Sequence, residues 1–266
     1  MYQPKISIIT VCYNAGACIE ETILSALSQS YSNKEIVIVD GASRDNTLAL
    51  LSKYEDKIGV LVSEKDNGIY DAMNKGVKLA SGDWIYFLNA GDTFFSAEVL
   101  TNIFTKAIDT NVGLIYGKIQ SINEPTGINY VAGKEVILAD FYTHYPINHQ
   151  ATFTRKKAFA EIGSYNIQYK LAADTEWFIR LFKSNRWKAQ FTDTIISYYD
   201  IQGASYHKRM QGYREYLAFS GIYFPAHIHV INLIKYPIIW LKVKIIRLLT
   251  GTSIFAWYRK QKFNAQ

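Results

Sequence analysis

The chain predicts an α/β protein built on a doubly wound, mostly parallel sheet. Short apolar runs such as KISIITVC, EIVIVD and WIYFL alternate with segments whose apolar residues recur at helical spacing. The runs are apolar at nearly every position, the pattern of strands covered on both faces. Strand and helix follow each other at short intervals, which favours parallel pairing through right-handed crossovers.

In order, Lys5 to Cys12 reads as the first strand, rich in β-branched residues. Ala17 to Gln29 carries Ile19, Ile23, Leu24 and Leu27 at helical spacing. Glu35 to Asp40 is a second strand, and Gly41-Ala42-Ser43 turns the chain toward a helix with Leu48, Leu50 and Leu51, capped by Asp45 or Asn46. Ile58 to Ser63 is a third strand, Gly68 to Ala80 a third helix, and Trp84 to Leu88 a fourth strand. Val112 to Tyr116 is another strand. Ser121 to Gly133, holding Pro125, Gly127 and Gly133, predicts an exposed hairpin. The strand ATFTR follows Tyr145 to Gln150 and leads into helices at Lys156 to Ile162 and from Leu171 to Leu181, the latter burying Trp177, Phe178 and Leu181.

The 266 residues, 49% hydrophobic and 20% charged, suit one globular domain with an appendage. Cys12 and Cys18 cannot make a disulfide framework, and both fit buried thiols in a reducing compartment. The opening MYQPKISIIT lacks the pattern of a secretory signal, so a cytoplasmic protein is expected. The net charge of +6 belongs to one region, because Leu217 to Gln266 holds seven Lys/Arg and no acid. Removing those seven from 29 leaves 22 basic against 23 acidic residues, a balance that argues against a nucleic-acid partner. No GxGxxG follows the first strand and no GxxxxGK[ST] occurs, which excludes the usual nicotinamide, flavin and P-loop sites.

Polar groups gather at three strand ends: Thr10, Tyr13 and Asn14 after the first, Asp40 after the second, and Asn89-Ala90-Gly91-Asp92 after the fourth. In a doubly wound sheet these ends line one cleft. Tyr13 can stack on a base and Asp40 can accept from a base imide or ribose hydroxyl. Asp92 on a rigid strand end can hold a hard divalent cation shared with bound phosphates. Taken alone, each of these stretches reads equally as ordinary turn chemistry, with Asp92 capping the next helix.

Four ordered motifs, ISIITVCYNAG, VDGASRDNT, DNGIYDAMNKG and GDWIYFLNAGD, resemble the nucleotide-binding half of family 2 glycosyltransferases, closest to bacterial members that build surface polysaccharide. The resemblance covers roughly residues 5 to 215. It implies the GT-A fold, a Rossmann-like sheet, and a nucleotide-diphosphate sugar, with UDP expected, as donor. Thr10, Tyr13, Asp40 and Asn67 are implied to hold the nucleoside, and Asp92 to ligate Mn2+ or Mg2+ on the diphosphate. The chain departs from the family's Asp-x-Asp: Asn89 offers an oxygen without charge, with Ala90 and Gly91 between it and Asp92. Met73 stands where the family often has arginine, so Lys75 or Asp71 is the expected substitute contact.

Asp174 and Glu176 open the helix after Leu171, where an acid is favoured by the helix dipole and Asp174 reads equally as an N-cap. By the resemblance, Asp174 matches the general base of an inverting single displacement and Glu176 a second, variable acid. His149 and Gln150 resemble a segment beside the acceptor or diphosphate, although a lone His next to a strand is commonly a core residue. Gln202 to His207 resembles a loop that closes over the diphosphate, with His207 as a further ligand or an exposed helix start. Two other functions fit less well. A sugar-1-phosphate nucleotidyltransferase needs a basic Gly-rich loop that Val11 to Gly16 lacks, and a non-catalytic nucleotide-sugar-binding subunit needs no base.

The expected division is a glycosyltransferase domain over 1–215, nucleotide-binding to about 118 and acceptor-side from 119, then a basic apolar helical tail over 216–266. Charges recur too often in the tail for a spanning helix, and Pro237 is expected to break or kink it. Trp240, Trp257, Tyr258 and the closing cations suit an anionic membrane surface, which would dock the protein on the inner face of the cell membrane near a glycan or polyprenyl-linked acceptor. Helices packed on the domain or on another subunit are the alternative.

Overall fold

The computed structural model describes residues 3–123, 128–200 and 208–249. Four strands come first: β1 (Ile6–Cys12), β2 (Lys34–Asp40), β3 (Val60–Ser63) and β4 (Trp84–Phe87), linked through α1 (Ile19–Leu27), α2 (Thr47–Leu51) and α3 (Ile69–Leu79). Then follow β5 (Thr93–Phe94), α4 (Val99–Phe104), β6 (Val112–Asn123), β7 (Ile128–Ala132), β8 (Thr152–Arg155), α5 (Lys156–Ile162), α6 (Ala173–Phe182), β9 (Lys188–Asp200), α7 (Arg209–Tyr223) and α8 (Ala226–Leu249). Among the described residues, nine strands share one sheet in the order β3-β2-β1-β4-β8-β6-β9-β5, with β7 along β6.

The first four strands are parallel, as expected. The second half is mixed: β8 runs against β4, β6 against β8, and β5 against β9, while β6 and β9 pair in parallel. Between β4 and β8 the chain loses the strict strand–helix alternation that forces parallel pairing. The predicted hairpin is the β6–β7 pair, while Pro125 and Gly127 lie outside the described residues. Asp45 rather than Asn46 supplies the side-chain acceptor at the start of α2, taking the Thr47 N–H at 3.0 Å.

Residues of β1 and β2 alternate between two cores. Ile9, Val11, Val37 and Val39 face a core shared with α3, α5 and α6, whereas Ile6, Ile8, Ile36 and Ile38 face one shared with α1 and α4. The sheet is therefore covered on both faces, and only its edges and strand ends meet solvent. The chain turns from β1 to β2 and β3 on one side and places β4 on the other, so the strand order reverses between β1 and β4. A crevice opens at the carboxyl ends of strands at such a point.

Tyr216, Phe219 and Phe224 are buried in the same core as α6, so α7 packs on the domain, and Ile228 at the start of α8 packs against that core too. Helix α8 runs unbroken through Pro237. The proline is exposed, so the backbone acceptor it leaves unserved lies on the solvent side. No helix among the described residues is long and apolar enough to cross a membrane.

Candidate active site

The β4 end is built as a tight turn. The Asp92 N–H bonds to the Asn89 carbonyl at 2.9 Å, and Gly91 sits at φ +95°, a conformation costly for any other residue. Thr22 of α1, fully buried, locks it: its Oγ1 accepts from the Gly91 N–H at 2.9 Å and donates to the Asp92 carbonyl at 3.1 Å. Asn89 then points its amide at a second element. Its Nδ2 lies 3.0 Å from His149 Nε2, while its Oδ1 is buried with no hydrogen-bond partner among the described residues.

His149 spans the gap between sheet and helix. Its Nδ1 is 3.2 Å from Asp174 Oδ2 at the start of α6. An amide N–H facing Nε2 requires that nitrogen to accept, so Nδ1 carries the proton toward the carboxylate. Burial presses the imidazole pKa down, but the Asp174 hydrogen bond and charge, with a contribution from Asp92, raise it above the ordinary histidine value. Asp174 Oδ1 accepts from the Tyr70 hydroxyl at 3.0 Å and from the Thr175 N–H at 2.7 Å. Burial, then the Asp174 charge, pushes the Tyr70 phenol well up, so it stays a protonated donor. These three bonds leave one of the four lone-pair positions of the carboxylate unused, on Oδ2.

A cavity of about 420 Å³ opens over this group. Asn67, Tyr70 and Asp71 line it from the first half of the chain, and His149, Asp174 and Lys170 from the second. The Lys170 ammonium donates to the Asn67 carbonyl at 2.9 Å, closing one wall, and Lys208, just before α7, and Gln211 of α7 close another. The Asn67 amides are aimed by Asp71, whose Oδ2 accepts from Asn67 N and Nδ2 at 2.9 and 3.1 Å. Glu215 of α7 fixes the approach to α6, accepting the backbone N–H groups of Lys170, Leu171 and Ala172 at 3.0, 2.8 and 3.1 Å.

The structure thus brings Asn67, Asp71, Asn89, His149 and Asp174 together, with Asp92 one turn away. Tyr13 is 61% exposed at the same edge, free to offer its ring face. Several predicted residues are used otherwise. Asp40 has 0% exposure, and its carboxylate is filled by Ser43 N–H at 2.9 Å, the Ser43 hydroxyl, the Ser63 hydroxyl at 2.6 Å and the Cys12 thiol. It shapes the β2 turn and has no oxygen left for a base or ribose. Asn14 ties the β1 and β2 loops, its N–H donating to Ser43 Oγ at 2.8 Å and its Oδ1 accepting from Arg44 N–H at 2.9 Å. Thr10 is fully buried inside β1, and its Oγ1 has no hydrogen-bond partner among the described residues. Cys18 is only half-buried.

Lys75 does not replace the missing arginine in the cleft: it pairs with Glu64 at 2.7 Å and donates to the Lys65 carbonyl at 2.7 Å, bracing the loop before α3. Glu176 is no acceptor-side acid. Both its oxygens are held by Arg180, at 2.9 Å each, and one also accepts from the Tyr223 hydroxyl at 2.6 Å, so it ties α6 to the end of α7. Gln150 is a buried joint whose carbonyl accepts from Tyr86 and Ser197, both at 2.8 Å. The segment Gln202 to His207 lies outside the described residues. Sequence reasoning missed Tyr70, Lys170 and Glu215. Tyr70 stood inside a quoted motif, but only packing of α3 on α6 brings it to Asp174.

Comparison with known proteins decides what this site belongs to: residues 7–182 match the family described as Glycosyl transferase family 2. The chain belongs to glycosyltransferase family 2. A PGL/p-HBAD biosynthesis glycosyltransferase of Mycobacterium bovis BCG is 31% identical over 207 residues, covering 76% of this chain and 79% of that protein. A putative teichuronic acid biosynthesis glycosyltransferase, TuaG of Bacillus subtilis 168, is 38% identical over 94 residues, 34% of this chain and 37% of that one. Among solved structures, S. aureus TarS 1-349 in complex with UDP-GlcNAc superposes with a TM-score of 0.64 at 20% identity, over 80% of this chain and 66% of that one. The chain spans 44% of the longer TarS structure. The mannosyltransferase PcManGT of Pyrobaculum calidifontis, in complex with GDP-Man and Mn2+, gives a TM-score of 0.64 at 17% identity over 98% of this chain and 80% of that one. The fold of this glycosyltransferase is GT-A, and the nucleotidyltransferase alternative falls away.

Proposed function

We propose that this glycosyltransferase moves one sugar, with inversion at the anomeric carbon, from a UDP-linked donor to a hydroxyl of a glycan or polyprenyl-linked acceptor in surface-polysaccharide assembly. The observation that carries the reading is Asp174: a carboxylate at the wall of the cleft, oriented by Tyr70 and His149, with a lone pair still open. The nucleoside is assigned to the half ending near residue 118, with Tyr13 stacking on the base and Asn67 on the ribose or phosphate side. The acceptor is assigned to the half from 119, beneath Asp174. In the reaction the acceptor oxygen forms its bond to the anomeric carbon while its proton passes to Asp174 Oδ2. The bond from that carbon to the diphosphate oxygen breaks, and its electron pair leaves with the nucleoside diphosphate. Positive charge gathers on the sugar in between, as in glycoside cleavage.

A divalent ion fits the β4 turn. The buried Asn89 Oδ1 has no partner among the described residues, Asp92 brings a carboxylate, and both are hard oxygen donors of the type Mg2+ and Mn2+ take. Among the described residues no cluster of three or more His, Cys, Asp or Glu could hold an ion by itself; Asn89 and Asp92 would hold it together with oxygens supplied by a bound donor. When bound, the ion supplies neutralising charge to the departing diphosphate. The names of the relatives and the UDP-GlcNAc and Mn2+ bound to structural neighbours support donor class and metal.

The test is a panel of nucleotide sugars, each with Mn2+ or with chelator, read by melting temperature and by release of nucleoside diphosphate. The true donor at about one hundred times its Kd stabilises by about 2.7 kcal/mol, and chelation removes most of that gain. Stabilisation without any slow release of nucleoside diphosphate would instead favour a non-catalytic binding subunit.

A further inference from the structure

The outward face of α8 is a feature that the cleft does not use. Ile228, His229, Asn232, Tyr236, Ile239 and Val243 form the inward stripe, each at least partly covered and spaced to share one side of a helix. The stripe is fastened: His229 Nδ1 lies 2.8 Å from Ser220 Oγ, Asn232 Nδ2 donates to the Tyr142 carbonyl at 3.2 Å, and Tyr236 stacks on Tyr213 with ring centroids 5.7 Å apart. These contacts fix the rotation of the helix about its axis, and so fix what faces away.

At 100° per residue, the opposite side carries Val230, Ile234, Ile238, Leu241 and Ile245 in one arc. Every one is exposed: Ile234 and Ile238 at 65%, Leu241 at 54%, Val230 at 51% and Ile245 at 46%. Cations stand on the shoulders between the two faces. Lys235 and Lys242 lie along one border and Lys244 along the other, its ammonium 4.0 Å from the Trp240 ring centroid. The linear sequence suggests only partial amphipathicity because its apolar residues serve both faces. Once the docked stripe is subtracted, the remainder sorts into an apolar arc with cationic margins.

We infer that this face of α8 lies in the interfacial layer of an anionic lipid bilayer, its apolar arc among the acyl chains and its lysines at the headgroups. The charge pattern selects this occupant over a second copy of the chain. Lys235, Lys242 and Lys244 border the face and no acid occurs from residue 217 onward, so pairing two such faces would oppose like charges, whereas anionic headgroups complement them. An apolar side chain without neighbours gains nothing in water but leaves it favourably on entering the acyl boundary. The same α7 that carries Gln211 into the cavity carries Tyr213 and Ser220 against α8, so lipid docking and the cleft are separated by one helix.

The test uses the full chain and sedimentation with vesicles of phosphatidylcholine alone or mixed equally with phosphatidylglycerol, at low and high salt. The wild type should pellet with the mixed vesicles at low salt and be released by salt. The variant Ile234→Ser/Ile238→Ser/Leu241→Ser should bind them at least about tenfold more weakly, since each change withdraws an apolar side chain from the interface. Lys235→Ala/Lys242→Ala/Lys244→Ala should lose the preference for phosphatidylglycerol, and both variants should keep the wild-type melting temperature. Wild-type binding by the serine variant, or no wild-type binding at all, would overturn the proposal. So would a vesicle-free dimer that the serine variant converts to monomer, because the face would then meet a second copy. Donor binding by the serine variant is expected to be unchanged, so this outcome and that of the nucleotide-sugar panel are read separately.

Discussion

A carboxylate that takes a proton from an alcohol has to stay ionised while holding its open lone pair in a fixed direction. Around Asp174 the Tyr70 hydroxyl, the Thr175 N–H and His149 Nδ1 set that direction. We assign His149 a positioning role on the proposed base. His149→Ala should lower kcat by roughly ten- to a hundredfold while donor affinity stays within about twofold, and His149→Gln, which retains a donor, should recover part of the loss. Steady-state kinetics with a direct measurement of donor binding checks this: a matching loss of donor affinity would make His149 a donor ligand instead. The residue scale is also where sequence reasoning fell short. Asp40 and Lys75 carry chemistry that suits a nucleotide, but three-dimensional neighbours had already claimed them, Ser43 and Ser63 for one and Glu64 for the other. No motif along the chain announces these partners, whether they stand 3 residues from Asp40, as Ser43 does, or 23 away, as Ser63 does.

Elements place these side chains. The β4 strand ends in a turn locked by α1, and α6 begins where Glu215 of α7 holds three successive N–H groups. A buried or half-buried N–H left without its acceptor costs about 1–3 kcal/mol, so Glu215→Ala should destabilise by at least that order in urea unfolding. Because the freed loop leads directly into Asp174, transfer should fall more than donor binding. Elements were also the most legible part of the sequence. Strands with unbroken apolar runs, β1, β2 and β4, and helices with clean spacing, α3, α5 and α6, lie within two residues of expectation. Strand β9 escaped because KAQFTDTIISYYD mixes polar and apolar residues, and β5 because two residues make no pattern. Its partner across the sheet, not its own composition, makes β9 a strand.

At the scale of the molecule, the parallel half and the mixed half of the sheet meet at β4, and the cleft draws on both. The opposite ends of the parallel strands are tied by one acid. Glu35 accepts from Ser7, from Ser81 N–H and Oγ, and from Lys5, joining β1, β2 and the lead into β4. Burial pushes this carboxyl up, but those hydrogen bonds outweigh it and hold it at about 2 against an ordinary 4.5. A depressed folded pKa contributes stability above the unfolded value, lost as pH falls through the folded one. The melting-temperature advantage of wild type over Glu35→Gln should therefore be constant above pH 4.5 and shrink as pH falls toward about 2. An advantage independent of pH would mean that the network is held by packing rather than charge. Fold and family were readable at this scale because four motifs recur in order along one half of the chain. The outward face of α8 was not, because it exists only after the helix has docked.

The proposed chemistry rests on Asp174, and single-turnover transfer of a radiolabelled sugar by Asp174→Asn, at saturating donor and Mn2+, tests it most directly. The variant is expected to bind donor nearly as wild type does and to transfer roughly two to four orders of magnitude more slowly. Near-normal transfer by that variant would contradict the assignment of the base.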